Sequence, residues 1–289
     1  MRIFLRARSA SSMGKSLKER KYFLVDNGSY GPEAVLNLRT IAHSLAKITD
    51  CEVRPMGLMH SHKVEPSALD GIPGESMEAF LQSDEAGSMD QLRVLPFFLG
   101  PSLAVTDWLP RNLEKWRSEK KGRSFAVLDF LFAPEDDRLA RILADLCLKR
   151  FPSAETPPPH LILVDHGTPL PEVNRVREEV GQQLEALMRK RIGGFSTCCM
   201  ERRPGKEYDF NDPLLENLLR SLREDGVRRV LLAQFFLSPG RHAGENGDLA
   251  RICKGFEQTA PGFEICRLPT MGNHPLMLEI LADRILKDC

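Results

Sequence analysis

Two histidines and the residues around them stand out in this sequence as groups that do chemistry. His166 sits in Asp165-His166-Gly167-Thr168, and His242 closes the run Phe235-Phe236-Leu237-Ser238-Pro239-Gly240-Arg241-His242. A neutral imidazole binds a divalent metal and moves a proton near neutral pH. Glu201, between them in the chain, is a carboxylate suited to shuttling a proton or guiding a metal. Arg202, Arg203, Lys206 and Arg241 supply cations for acidic groups on a ligand.

The same chain carries a second copy of the pattern without the histidines. Asp26-Asn27-Gly28-Ser29 with Pro32-Glu33 recurs as Asp165-His166-Gly167-Thr168 with Pro171-Glu172, a constant shift of 139 positions (166 against 27, 172 against 33). Phe97-Phe98-Leu99-Gly100-Pro101 returns as Phe235-Phe236-Leu237-Ser238-Pro239, and Ile142-Leu143-Ala144-Asp145 as Ile280-Leu281-Ala282-Asp283. Three matches in one order indicate a duplicated domain. Asn27 then aligns with His166 and Ala104 with His242, so the chemistry is expected in the second half.

The histidines must be held by strands and helices, and the sequence shows both. Leu161 to Val164, Gly194 to Cys199, Val227 to Phe236 and Glu264 to Leu268 read as strands. They alternate with helical stretches at Pro171 to Lys190, Pro213 to Glu224 and Pro275 to Leu286, with a further helix starting near Asp248 as its N-cap. The first half repeats the order with strands at Tyr22 to Val25, Cys51 to Met59, Arg93 to Leu99 and Phe125 to Phe132, and helices at Pro32 to Lys47 and Asp136 to Lys149. Apolar strands alternating with amphipathic helices predict an α/β fold: two duplicated domains, each a parallel sheet flanked by helices. In such sheets the site lies beyond the carboxyl ends of the strands, which is where His166, Glu201 and His242 fall. The expected layout is a basic leader over 1–20, a first domain over 21–150, a proline-rich linker over 151–159 and a second domain over 160–289.

Composition narrows the function classes. Forty basic side chains against forty acidic ones leave no net field, which argues against a general nucleic-acid or membrane-surface binder. No apolar run reaches the roughly 18 to 20 residues that span a bilayer. Seven cysteines without metal-ribbon or redox spacing suit a reduced, cytosolic compartment. The basic, serine-containing first twenty residues leave organelle import as the alternative.

The other histidines carry less. His60 and His62 form a His-x-His pair without carboxylate or thiolate support nearby. His274 precedes Pro275 and fits a helix cap, while His43 and His160 have no motif around them. Arg189-Lys190-Arg191 ends a helix, where positive charge is favoured in any case. The glycine-rich run from Ser238 to Gly247 reads as a loop, either functional or a plain connector.

A strand ending in His-Gly-Thr, a following glutamate and a strand ending in Phe-Phe-Leu-Ser-Pro-Gly-Arg-His resemble the sirohydrochlorin chelatase family, the class II chelatases. The likeness covers about residues 160 to 288, and 21 to 150 resemble the same domain without its histidines. The resemblance implies two duplicated chelatase-like α/β domains with a cleft between them, and insertion of Co²⁺ or Fe²⁺ into a tetrapyrrole, with no ATP and no bound prosthetic group, by a monomer or homodimer. It implies that His166 and His242 bind the metal and take pyrrole protons, with Glu201 as the acidic residue. A non-catalytic tetrapyrrole- or metal-binding protein of the same fold is the alternative.

Overall fold

The computed structural model describes residues 20–152 and 157–288. Residues 1–19 of the basic leader and 153–156 of the proline-rich linker lie outside the described residues.

Two four-stranded, all-parallel sheets form the frame, and their strands run in the same order. The first is β2-β1-β3-β4, made of Glu52–Gly57, Lys21–Asp26, Gln91–Pro96 and Ser124–Val127. The second is β6-β5-β7-β8, made of Gly194–Cys199, His160–Asp165, Arg229–Gln234 and Glu264–Arg267. The central strand β5 buries Leu161, Ile162, Leu163 and Val164 completely, as expected for a parallel strand covered on both faces. In register, Asp26 lies beside Gly57 just as Asp165 lies beside Cys199.

The strands are shorter than the apolar runs that announce them. Phe125 to Phe132 gives a strand only over Ser124–Val127, and Val227 to Phe236 only over Arg229–Gln234. The remaining apolar residues leave the sheet to pack beneath loops at its carboxyl end: Phe97 is 2% and Phe235 5% exposed.

Helices α1 (Pro32–Thr49), α5 (Arg138–Arg150), α6 (Pro171–Met188) and α9 (Pro275–Lys287) lie between the sheets. Their apolar faces join both halves in one core, including Leu38, Ile41, Leu45, Ile142, Leu143, Val180, Leu184, Ile280 and Leu281. Polar links cross the same boundary. Arg284 donates to the carbonyls of Phe130 and Leu131, and His274 bonds Asp145 at 2.8 Å while its other ring nitrogen caps α9 through Leu276 N–H.

On the outer faces, α2 (Met77–Phe80), α3 (Asp84–Ser88) and α4 (Leu109–Ser118) close a second core in the first half, around Trp116, Phe23 and Met77. α7 (Leu215–Glu224) and α8 (Asp248–Thr259) do the same in the second half, around Leu219, Leu249 and Ile162. No helix among the described residues is long and apolar enough to cross a membrane.

Candidate functional site

The site is built at the carboxyl ends of β5, β6 and β7. Asp165, the last residue of β5, turns its carboxylate back to accept from Gly167 N–H at 3.0 Å. Gly167 has φ 94°, and a Cβ there would stand 1.9 Å from the carbonyl oxygen of Glu201, so only glycine fits. The loops after β5 and β6 are zipped together by Met200 N–H to Asp165 O and Glu201 N–H to His166 O. This pairing brings the two side chains face to face: His166 Nε2 lies 3.1 Å from Glu201 Oε1.

A buried polar clamp holds the turn from below. Arg177 of α6, 1% exposed, reaches Asp165 at 3.0 Å, Glu178 at 2.8 Å and the carbonyl of Asn211. Asn211, fully buried, accepts from Thr168 N–H and donates to Thr168 O. Burial pushes the Asp165 carboxyl up, and the Arg177 guanidinium and the Gly167 N–H oppose that rise.

His242 arrives from β7 on a loop that is folded rather than slack. Asp248 N–H donates to Arg241 O and Leu249 N–H to His242 O, which winds the loop onto the start of α8. A Cβ at Gly247 would lie 2.6 Å from His242 O, so this glycine lets the loop close. Asp248 is not the cap of α8; Gly247 holds that position, and Asp248 is the first helical residue. Its carboxylate instead receives His242 Nδ1 at 2.6 Å and the guanidinium of Arg251.

The rings of His166 and His242 meet edge to face, with centroids 4.5 Å apart and planes at 67°. With Nδ1–H of His242 given to Asp248, its Nε2 keeps the lone pair. Both imidazoles are partly open to solvent, at 41% and 32% side-chain exposure. No group of three or more His, Cys, Asp or Glu among the described residues is arranged to hold a metal ion. The geometry is that of an imidazole pair with one carboxylate behind each ring, not of a closed cage. Cys198 and Cys199 lie buried just beneath; burial pushes the Cys199 thiol up to about 11 and Cys198 well above its ordinary value, so neither is a thiolate at neutral pH.

The expected cations separate into two groups. Arg202 is paired with Asp209 at 3.1 Å and Asp212 at 2.8 Å, both in or next to the turn that follows it. Arg203 and Lys206 are exposed on the same loop, Arg203 over the ring of Tyr208. Arg241 is 84% exposed beside the histidine pair. His60 and His62 stay outside the site, His60 stacked on Tyr30 and His62 bonded to Ser76. Sequence reasoning missed Arg177, Asn211 and the pairing of Asp248 with His242. Arg177 alone left a signal, an arginine at a core-facing helical position where the first half has Leu38.

Two parallel sheets of identical strand order, with a histidine pair at one set of strand ends, define a duplicated α/β protein of chelatase-like fold. Comparison with known proteins agrees. Residues 160–288 match the CbiX family model. A chloroplastic sirohydrochlorin ferrochelatase of Arabidopsis thaliana is 26% identical over 125 residues, 43% of this chain and 50% of that protein, so the match spans about half the length of the curated relative. Among solved structures, SirB from Bacillus subtilis with Fe³⁺ superposes with a TM-score of 0.68 at 12% identity, over 92% of this chain and 94% of that one. The structure of CbiX, described as the terminal enzyme for biosynthesis of siroheme in denitrifying bacteria, superposes with a TM-score of 0.60 at 16% identity, over 93% and 100%. Through residues 160–288 the chain is similar to the CbiX family, and its fold is that of SirB and CbiX.

Proposed function

We propose that this protein inserts a divalent metal, Co²⁺ or Fe²⁺, into a tetrapyrrole of the sirohydrochlorin class. The observation that carries the reading is the 4.5 Å approach of His166 and His242, each backed by a carboxylate, at the ends of β5 and β7. Insertion exchanges two pyrrole N–H protons for one M²⁺. A chelatase therefore needs ligands weak enough to release the ion and bases to take the protons. In this reading His242 Nε2 and the His166 ring receive the metal, and His166 passes protons to Glu201 and on to solvent. Arg203, Lys206 and Arg241, the exposed cations of the two flanking loops, meet the carboxylates of the macrocycle.

Incubation of the purified protein with sirohydrochlorin and Co²⁺ or Fe²⁺ tests the proposal. An absorbance change faster than the spontaneous reaction is expected, and a rate equal to the spontaneous one overturns it. Binding of the macrocycle without turnover would mark a non-catalytic tetrapyrrole-binding protein. The proposal places the protein in the cytosol, with organelle import of the basic first residues as the alternative.

A further inference from the structure

The two halves correspond in strand register and helix start around Asp26 and Asp165, and one exchange between them accompanies a cavity. α1 and α6 begin at Pro32 and Pro171 and have the same length, so Leu38 stands where Arg177 stands. In the second half the Arg177 guanidinium is enclosed by Asp165, Glu178, the Cys198–Cys199 end of β6 and Asn211. The counterparts of these residues in the first half are Asp26, Arg39, the Met56–Gly57 end of β2 and the Ile72–Pro73 loop. They line a cavity of about 240 Å³, with Leu38 on its wall.

The chemistry of that cavity is unbalanced. Asp26 keeps its Gly28 N–H bond at 2.9 Å, but among the described residues no side chain donates to its carboxylate. The nearby cations are committed elsewhere. Arg54 is paired with Glu75 and Glu85 at 2.6 Å each, and Arg39 donates to the carbonyls of Leu69, Ile72 and Pro73. Burial without a partner pushes the Asp26 carboxyl up to about 6. Ser61 lines the same cavity and offers a hydroxyl oxygen.

We infer that this cavity is a binding site for the guanidinium group of a small molecule, seated on Asp26 as Arg177 is seated on Asp165. The second half supplies the precedent on the same scaffold: a planar, fork-shaped cation satisfies this carboxylate and fills this space. The site is separate from the histidine pair and does not depend on the chelatase reading.

The probe is methylguanidinium chloride, titrated into the full chain at pH 7.5 against sodium chloride at equal ionic strength and followed by calorimetry or backbone amide NMR. Saturable binding with a Kd of about 1–10 mM is expected, in keeping with a ligand of so few atoms. Asp26→Asn should weaken it about tenfold or more, since a charge-assisted pair becomes a neutral one. Leu38→Arg, which supplies the guanidinium from the chain itself, should abolish it in a folded protein. Absence of saturation in the parent, or equal binding by the parent and Asp26→Asn, overturns the inference. So does full binding by a folded Leu38→Arg protein. Asp26→Asn reads out the site even if Leu38→Arg fails to fold.

Discussion

The carboxylate of Asp248 receives Nδ1 of His242 at 2.6 Å, and the backbone N–H of the same aspartate is bonded to Arg241 O. One residue thus fixes both the ring and the loop that carries it. Removing such an orienting carboxylate typically costs about 10- to 100-fold in metal affinity. Asp248→Ala should weaken Co²⁺ binding by that order, and Asp248→Asn, which keeps an acceptor oxygen, by less. In a His242→Ala background Asp248→Ala should cost nothing further, because the two act as one unit. Calorimetric Co²⁺ titration of the parent, the three single variants and the double variant gives the comparison; additive losses would show that Asp248 acts independently of His242.

His166→Ala and His242→Ala should each lower the insertion rate by about 10²- to 10⁴-fold, the usual cost of a lost general base. Both rings are partly solvent-exposed, so matched thermal melts should leave the fold unchanged. Asn27→Ala and Ala104→Ser, at the corresponding places in the first half, should change the rate far less. Equal impairment by Asn27→Ala would contradict the assignment of the chemistry to the second half.

Arg177→Leu copies the first half into the second. It leaves the buried Asp165 carboxylate without its guanidinium, and breaking a buried pair from one side costs about 3–5 kcal/mol. Chemical denaturation should show a loss of that order. A double Asp165→Asn/Arg177→Leu variant should recover part of it, since no uncompensated charge then remains. A single substitution with no measurable loss would show that the clamp does not hold the His166 turn.

The raised Asp26 carboxyl gives stability a defined pH dependence. Its folded-state value of about 6 lies above the ordinary 3.8 of an aspartate, so between those values the folded chain binds the proton that the unfolded chain has released. Stability from this group is therefore fullest below about pH 4 and declines as pH rises to about 6. Asp26→Asn should remove that decline. At pH 7.5 it should melt roughly 2–4 °C above the parent, the shift that about 1 kcal/mol gives a domain of this size. Melts at pH 4.5 and 7.5 measure it; a parent and variant with the same pH slope would exclude the unpartnered carboxylate as its source.

The sequence carried the frame well because parallel strands buried on both faces leave unbroken apolar runs, as in Leu161 to Val164. It carried the histidine pair because His166 directly follows β5 and His242 sits on the loop after β7. It did not carry α4: Pro110 and the charged residues around Leu113 and Trp116 hide a helix that buries only one face. Nor did it carry the clamp. Arg177 and Asn211 meet only after β6 and its loop fold back over α6, and a buried arginine on a helix reads like any surface charge until its partners are known. The Asp248 expectation failed for a related reason: an acidic residue after glycine at a helix start signals a cap, and here the loop geometry turned it toward His242.

The shared core between the halves has a consequence for synthesis. The face of α1 is covered by α9, so residues 32–49 wait for residues 275–287 to leave the ribosome. At the usual ~5–20 residues per second this is roughly 10 to 45 s, during which Leu38, Ile41 and Leu45 stand open on a nascent chain. The first half must be sheltered over that interval, by a chaperone or by provisional collapse on itself. Slowing translation downstream of Lys149 should lower the soluble yield, and a circular permutant that places 275–287 beside 32–49 in the order of synthesis should restore it.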